Sequence, residues 1–283
     1  MIKIFVAKTA GFCFGVKRAI DIAFNMAREK RKGVYTLGPI IHNPQAIERL
    51  RAKGIIPIED IKEKKDIKAL IIRTHGIPLH LLDEISSAGC EIIDATCPFV
   101  KKAQRYAKLL SEEGYHVVIL GEKNHPEVQS LMSYTKDPLV ISGKEPLPKL
   151  KNKVGIVVQT TQPLEALKKV LSEAIEQTKE IKVYNTICNS TALRLRETGV
   201  MAGKVDVMFV VGGKNSANTT QLTRLCEALS VPTHHIETSS EIKKTWIRGS
   251  KKIGITAGAS TPKWIIQEVE KRIRDIGGRF SGT

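Results

Sequence analysis

The sequence predicts an α/β protein made of three similar units. Short β-branched runs alternate with turn residues and amphipathic stretches along the 283 residues, a pattern typical of sheets flanked by helices. Three marks also recur in the same order: a strand that leads to a cysteine, a glycine at a strand end, and a strand that enters a polar turn ending in proline. We therefore expect three α/β units about a pseudo-threefold axis.

The first mark is a strand followed by a cysteine and a basic helical stretch. Cys13, Cys97 and Cys188 occupy this position, 84 and 91 residues apart. The strands before them are expected at 2–6, 91–96 and 181–187. The cysteines also set the expected domain boundaries, which give a first unit at 14–97, a second at 98–188, and a third at 189–283 completed by 1–13.

The second mark is a glycine 25, 24 and 24 residues after each cysteine, at Gly38, Gly121 and Gly212. Polar residues follow it at fixed distances. Four residues on stand His42, His125 and Ser216, and two further on stand Pro44, Glu127 and Asn218.

The third mark is the polar turn, which contains His75 in the first unit, Thr160 and Thr161 in the second, and Ser260 in the third. All three marks lie where strands end. Because ligands of parallel sheets bind beyond the carboxyl ends of the strands, we expect the marks of all three units to face one central cavity.

The three cysteines define the chemistry expected in that cavity. Convergent thiolates suit zinc, copper(I) or an iron–sulfur cluster. A structural zinc wants a fourth protein ligand, whereas a cluster held by three cysteines leaves one iron open to act as a Lewis acid. Neither Cys90 nor Cys226 has a counterpart in the other units, and both are interpreted as packing residues. The chain has no CxxC pair.

The other residues at the marks indicate an anionic ligand. Hydroxyl, imidazole and amide groups next to glycines and helix N-termini are a suitable cradle for phosphate oxygens. Glu127 is the one carboxylate at its position among the three units. It is either a general acid whose pKa is raised by burial or a helix N-terminal residue favoured by the helix dipole.

Composition limits the remaining function classes. The formal charge is +16, which suits an anionic substrate, an acidic partner or simple solubility. Aromatic residues make up 5%, few of them among the basic runs, which disfavours single-stranded nucleic acid as a partner. No apolar run approaches the roughly 20 residues that span a bilayer, and residues 1–6 are typical of a strand rather than a signal peptide. We expect a cytoplasmic protein without a membrane or nucleic-acid partner.

Eight segments together resemble one known family, the 4-hydroxy-3-methylbut-2-enyl diphosphate reductases that end the non-mevalonate isoprenoid pathway. They include Gly11-Phe12-Cys13-Phe14-Gly15-Val16 and Gly121-Glu122-Lys123-Asn124-His125-Pro126-Glu127. The others lie at 37–43, 73–76, 94–98, 159–161, 214–218 and 258–262. Many members of the family have Ser-Ser-Asn where this chain has Ser216-Ala217-Asn218, so one hydroxyl contact is lost at Ala217.

The resemblance implies a cloverleaf of three α/β domains around a [4Fe–4S] cluster held by Cys13, Cys97 and Cys188. It implies removal of the C4 hydroxyl of the substrate with two electrons and protons, which yields isopentenyl and dimethylallyl diphosphates. Glu127, Thr160 and His125 would be catalytic. The residues that would bind the small diphosphate substrate are His42, His75, His125, Thr160, Thr161, Ser216, Asn218 and Ser260.

The electrons must come from another protein, because the sequence has no evident GxGxxG nucleotide-binding motif. An external donor such as ferredoxin or flavodoxin, docking on the basic surface, is the expected partner. The alternative to the reductase is a zinc-dependent hydrolase of a small phosphorylated substrate, which shares the content of Cys, His and Glu.

Overall fold

A computed structural model of the chain describes residues 2–30, 33–41, 43–63, 66–87 and 89–278. Over these residues it contains twelve strands, nine α-helices and three short 3-10 helices. The strands are β1 (Lys3–Val6), β2 (Val34–Leu37), β3 (Ile55–Ile58), β4 (Ala69–Ile72), β5 (Glu91–Asp94), β6 (His116–Leu120), β7 (Leu139–Ile141), β8 (Lys153–Val158), β9 (Glu180–Tyr184), β10 (Val207–Val211), β11 (Thr233–Ile236) and β12 (Lys252–Ala257). The α-helices are α1 (Phe14–Lys30), α2 (Pro44–Arg51), α3 (Leu79–Ser87), α4 (Pro98–Glu112), α5 (Pro126–Met132), α6 (Leu164–Ile175), α7 (Asn189–Ala202), α8 (Ala217–Ala228) and α9 (Lys263–Gly278). The 3-10 helices are Ile61–Glu63, Ser239–Glu241 and Lys244–Trp246.

The strands form three parallel sheets of four strands each. Equivalent strands take the same place in the three orders, which are β5-β4-β2-β3, β9-β8-β6-β7 and β1-β12-β10-β11. The predicted α/β class with three similar units is therefore confirmed. The pseudo-threefold axis and the central cavity stay predictions.

The chain divides into two compact units. The first contains Met1–Lys17, Ile41–Arg49 and Asn189–Thr283, and the second contains Arg18–Ile40 and Leu50–Cys188. The sheet of the first unit takes its edge strand β1 from the start of the chain, where Lys3 lies opposite Lys252 of β12. The other two sheets belong to the second unit. The predicted domain boundaries at 97 and 188 stay predictions.

One backbone hydrogen bond repeats at the glycine mark in all three sheets. Each glycine follows its strand and donates its N–H to the last residue of the neighbouring edge strand. The pairs are Gly38 to Ile58 at 2.8 Å, Gly121 to Ile141 at 2.8 Å and Gly212 to Ile236 at 2.9 Å. At Gly38, where φ is +67°, a Cβ atom would lie 2.6 Å from the guanidinium of Arg73. The glycine mark is thus a turn in which the backbone passes close to a side chain.

The sheet that carries Glu127's helix is covered on both faces, as parallel sheets usually are. Side chains of β6 and β8 alternate between the two faces. Val117, Ile119 and Val157 pack against α4 and α5. The other face packs against α6 through Val118, Leu120, Ile156 and Val158. No helix of the described residues has the length and apolar character to cross a membrane.

The strands before the cysteines are shorter than predicted. β5 and β9 end at Asp94 and Tyr184 rather than at 96 and 187. Short polar side chains turn the backbone there: Asp94 Oδ1 accepts the N–H of Thr96 at 2.8 Å, and Asn185 Oδ1 accepts the N–H of Ile187 at 3.2 Å. Such turns compete with the strand's own hydrogen bonds, so each cysteine lies on a loop beyond its strand.

Candidate active site

The three cysteines occupy equivalent places. Each half-buried cysteine directly precedes a helix, and its N–H donates to the loop that follows the neighbouring strand. The acceptors are the carbonyl oxygens of Ala259 for Cys13 at 3.2 Å, Thr74 for Cys97 at 2.9 Å and Thr160 for Cys188 at 2.9 Å. At each of the three sheets, the cysteine mark is therefore hydrogen-bonded to the polar-turn mark.

The donor chemistry of these cysteines fits a cluster bound by thiolates. A thiolate at a helix N-terminus is stabilised by the helix dipole. Cys226 differs, because it is fully buried and burial raises the pKa of its thiol to about 11. Its interpretation as a core thiol is confirmed. Cys90 packs at the rim of an apolar cluster. Within the described residues, no three His, Cys, Asp or Glu side chains are grouped to hold a metal ion, and the three-cysteine ligand set stays a prediction.

Glu127 is the chemically unusual residue of the second unit. Its side chain is 2% exposed. Burial raises the pKa of Glu127 from 4.5 to about 7, against the opposing effect of hydrogen bonds from Thr160. The Thr160 N–H donates to Oε1 at 2.6 Å and the Thr160 hydroxyl to Oε2 at 2.8 Å. Glu127 is therefore a carboxyl group that can hold a proton near neutral pH.

The two adjacent threonines of the polar turn, Thr160 and Thr161, have different partners. Thr160 bonds to the carboxylate, whereas the Thr161 hydroxyl accepts a hydrogen bond from Gln159 Nε2 at 3.1 Å. The side-chain oxygen Oε1 of Gln159 in turn accepts the N–H of Glu122 at 2.9 Å. Thr160 is thus the threonine coupled to the acid, and Thr161 belongs to a neighbouring amide network.

Two of the three predicted histidines lie together. His125 is the N-cap of α5, where its Nδ1 accepts the N–H of Glu127 at 3.2 Å. In a neutral ring this leaves the proton on Nε2, which can donate to an oxygen. The ring of His75 lies edge-on to it, with centroids 5.4 Å apart. His42 lies outside the described residues.

Two predicted substrate-binding residues, Ser216 and Asn218, lie at the N-terminus of α8, in the compact unit that contains Asn189–Thr283. Ser216 caps this helix and accepts the N–H of Thr219 at 3.5 Å. Asn218 is 5% exposed, and neither of its amide atoms has a hydrogen-bond partner in the described part of the chain. Ser260 is buried after β12. A buried amide without a partner costs free energy, so this helix end is suited to a ligand with acceptor oxygens.

Two other buried residues of this compact unit, Thr219 and Arg194, were not singled out from the sequence. Thr219 is fully buried, and its hydroxyl also lacks a partner within the described residues. A Cβ atom on Gly258 would lie 2.0 Å from that hydroxyl, so only glycine fits there. Arg194 was interpreted as part of a basic helical stretch, yet it is buried and donates to the carbonyl oxygens of Thr9 and Gly11 at 2.6 and 2.7 Å.

The chain is similar to known proteins along nearly its whole length. The protein family described as LytB protein matches residues 4–274. The 4-hydroxy-3-methylbut-2-enyl diphosphate reductase of Pelobacter propionicus is 50% identical over 277 residues, which cover 97% of this chain and 98% of that protein. The enzyme of the same name from Geobacter sulfurreducens is 48% identical over 284 residues, 99% of this chain and 100% of the relative.

Two solved structures are also similar. One is (E)-4-hydroxy-3-methyl-but-2-enyl diphosphate reductase, the terminal enzyme of the non-mevalonate pathway, with a TM-score of 0.71 and 45% identity over 97% of this chain and 100% of that one. The other is the E-1-hydroxy-2-methyl-but-2-enyl-4-diphosphate reductase of Plasmodium falciparum, with a TM-score of 0.87 and 26% identity over 95% of this chain and 87% of that one.

Proposed function

The chain belongs to the LytB protein family, and we propose that it is a 4-hydroxy-3-methylbut-2-enyl diphosphate reductase. It is an oxidoreductase of the non-mevalonate pathway that removes the C4 hydroxyl of its substrate. Two electrons and two protons are consumed: one proton leaves with the hydroxyl as water and the other ends on carbon. The observation that carries the proposal is Glu127, a buried acid with a pKa of about 7 bonded to Thr160.

Cys13, Cys97 and Cys188 would hold a [4Fe–4S] cluster. When bound, this cluster supplies the electrons and an iron with an open coordination position. The support is the equivalence of the three cysteines, each placed at the start of a helix and tied to the neighbouring loop. Cys90 and Cys226 have no such equivalence and are not ligands.

The diphosphate is bound by hydrogen-bond donors rather than by a cluster of lysines. Ser216, Asn218 and Ser260 provide hydroxyl and amide groups, and the N-terminus of α8 adds a favourable dipole. His42, His75 and His125 complete the binding set. Binding the remote diphosphate orients the hydroxyl end of the substrate for reaction.

Glu127 delivers the proton that leaves with the hydroxyl. Burial raises the pKa of this acid to about 7, so it can hold a proton near neutral pH. Thr160 keeps the carboxyl group in one orientation through two hydrogen bonds, and its hydroxyl lies between the acid and the reacting end of the substrate in this proposal. Electrons come from ferredoxin or flavodoxin.

The first test is the content of iron and acid-labile sulfide in anaerobically purified protein. We expect matched iron and sulfide, lost in Cys13→Ala, Cys97→Ala and Cys188→Ala but kept in the control Cys90→Ala. The same preparations are then assayed with substrate and a reduced viologen. If the protein contained neither metal nor sulfide after reconstitution, that result would contradict the reductase proposal.

The zinc hydrolase is not supported. The relatives at 50% and 48% identity carry the reductase name. Burial alone raises the pKa of Glu127, so this acid needs no bound zinc to hold its proton. Zinc without sulfide in the purified protein is the result that would favour the hydrolase instead.

A further inference from the structure

We propose that Ser130 of α5 and Ser133, the C-cap residue of that helix, are positioning residues that fix the loop carrying His75 against the helix carrying His125 and Glu127. This inference rests on the proposed function, in which both histidines bind the diphosphate. All of these residues lie in the second unit.

Two hydrogen bonds join the helix to the loop. The Ser130 hydroxyl donates to the carbonyl oxygen of Ile77 at 2.9 Å. The Ser133 hydroxyl accepts the N–H of Leu79 at 3.0 Å and donates to the carbonyl oxygen of Ser130 at 2.7 Å. The loop is therefore held at two points just after His75.

Gln104 of α4 fixes the direction of the first of these bonds. Its Nε2 donates to the Ser130 hydroxyl oxygen at 2.7 Å. Because a hydroxyl has a single proton, Ser130 is left to donate that proton to Ile77. Ser130 is 0% and Gln104 7% exposed, so water does not compete for these groups. Loss of the hydroxyl leaves a buried donor and a buried acceptor unsatisfied.

Gly76 allows the loop to lie directly on this pair. Its φ is +73°, and a Cβ atom would lie 2.5 Å from Gln104 Nε2 and 3.0 Å from the Ser130 hydroxyl oxygen. The residue before it is His75. The backbone position of His75 is thus set by Ser130 and Gln104.

The same short helix carries the other half of the arrangement. His125 caps α5, Glu127 is in its first turn, and Ser130 follows three residues after Glu127. The rings of His75 and His125 are therefore both held by α5, which His125 caps and whose Ser130 bonds to the loop after His75. We infer that this keeps the ring centroids 5.4 Å apart. A ligand gripped by both rings binds well only if that spacing is kept, because binding groups must be held within a fraction of an ångström.

The experiment compares Ser130→Ala and Ser133→Ala with the matched control Thr135→Ala. The Thr135 hydroxyl donates to Met132 at 2.8 Å and does not reach the loop. We expect KM for the substrate to rise about tenfold in the two serine variants, since misplaced binding groups weaken the productive complex. The Kd for inorganic diphosphate, measured by calorimetry, should rise to a similar extent.

The same variants should keep kcat within about twofold and an unchanged pH profile, because the bonds between Thr160 and Glu127 are untouched. Ser133→Thr, which keeps the hydroxyl at a half-buried position, should restore KM. The control should match the wild type in every measurement.

An unchanged KM and Kd in Ser133→Ala would overturn the proposal, even if Ser130→Ala were too unstable to study. A lower melting temperature with normal KM would assign these serines to stability alone. Failure of the proposed function is distinct, because the wild type would then bind diphosphate without reducing the substrate.

Discussion

Glu127 combines deep burial with two hydrogen bonds that favour its charged form. Burial prevails, and the pKa is raised to about 7. The acid therefore changes its protonation state near pH 7. The titration of Glu127 therefore sets the pH dependence expected for turnover in the proposed reaction and for the free energy of unfolding.

We expect kcat to be constant below pH 7 and to fall about tenfold per pH unit above it, because the proton donor is then ionised. Glu127→Gln should lower kcat at least about 100-fold and abolish this inflection. The Gln carbonyl oxygen can accept the Thr160 N–H and its NH2 group can donate to the Thr160 hydroxyl oxygen, so the variant should fold normally. Glu122→Gln, at an exposed position in the loop before α5, is the control. Full turnover by Glu127→Gln would show that another group supplies the proton.

The raised pKa also lowers stability at high pH. Between pH 4.5 and about 7 the folded chain binds more protons at Glu127 than the unfolded chain, so the free energy of unfolding falls as pH rises. The stabilising contribution is complete below pH 4.5 and is lost as pH passes 7. Urea unfolding of Glu127→Gln and wild type should therefore diverge from pH 5 to pH 8, in favour of the variant, by up to about 3 kcal/mol. A difference that does not change with pH would contradict the assignment.

At this scale the sequence predicted the residue types of the site better than their contacts. The position of Glu127 within the repeat marked it as a candidate acid. The bond between Thr160 and the acid could not be predicted, because the side chains of neighbouring loop residues point in different directions that no sequence pattern specifies. Ser130 and Gln104 were missed, since a bond between residues 26 apart depends on how two helices pack.

α7 is the element that anchors the loop before Cys13. Its Arg194 donates to the carbonyl oxygens of Thr9 and Gly11, and its Glu197 accepts the N–H groups of Lys8 and Thr9 at 2.7 and 2.8 Å. Arg194 and Glu197, on successive turns of α7, thus bind the carbonyl oxygens and the N–H groups of the same backbone segment, residues 8–11.

Arg194→Met should lower the free energy of unfolding by about 3 kcal/mol, because the buried carbonyl oxygens lose charged donors. Arg196→Met, at an exposed position on the same helix, should change it by less than about 0.5 kcal/mol. Urea unfolding measures both. Hydrogen exchange at Lys8 and Thr9 should quicken only in the Arg194 variant, and equal protection in the two variants would contradict this role.

The order of elements was accessible from the sequence because each unit repeats the same marks. Helices begin directly after Cys13, Cys97 and Cys188, as predicted. Strand ends were less predictable, since the turns at Asp94 and Asn185 use side chains that fit strands and loops alike.

The charge of +16 belongs to the whole molecule. Cations such as Lys102 and Arg105 project from the exposed face of α4, the helix that begins after Cys97. A basic surface accelerates the approach of an acidic protein at low salt, and the effect is screened over about 10 Å at 0.1 M salt.

We therefore expect turnover with reduced ferredoxin or flavodoxin to fall at least about tenfold between 20 mM and 500 mM salt. Turnover with dithionite-reduced methyl viologen should change little, because a small cationic donor gains nothing from a basic surface. Stopped-flow rates at constant pH provide the measurement. Equal salt dependence for the protein and viologen donors would show that docking is not electrostatic.

The pairing of β1 with β12 has a consequence for biosynthesis. The partners Lys3 and Lys252 are 249 positions apart, so β1 is synthesised long before its partner β12. Contacts of such long range form slowly and leave strand edges open in the meantime. The segment that ends at Cys13 is therefore expected to be the last to become ordered in a nascent chain. In the proposed reductase, in which Cys13, Cys97 and Cys188 would bind the cluster, Cys97 and Cys188 are therefore expected to be ordered before Cys13.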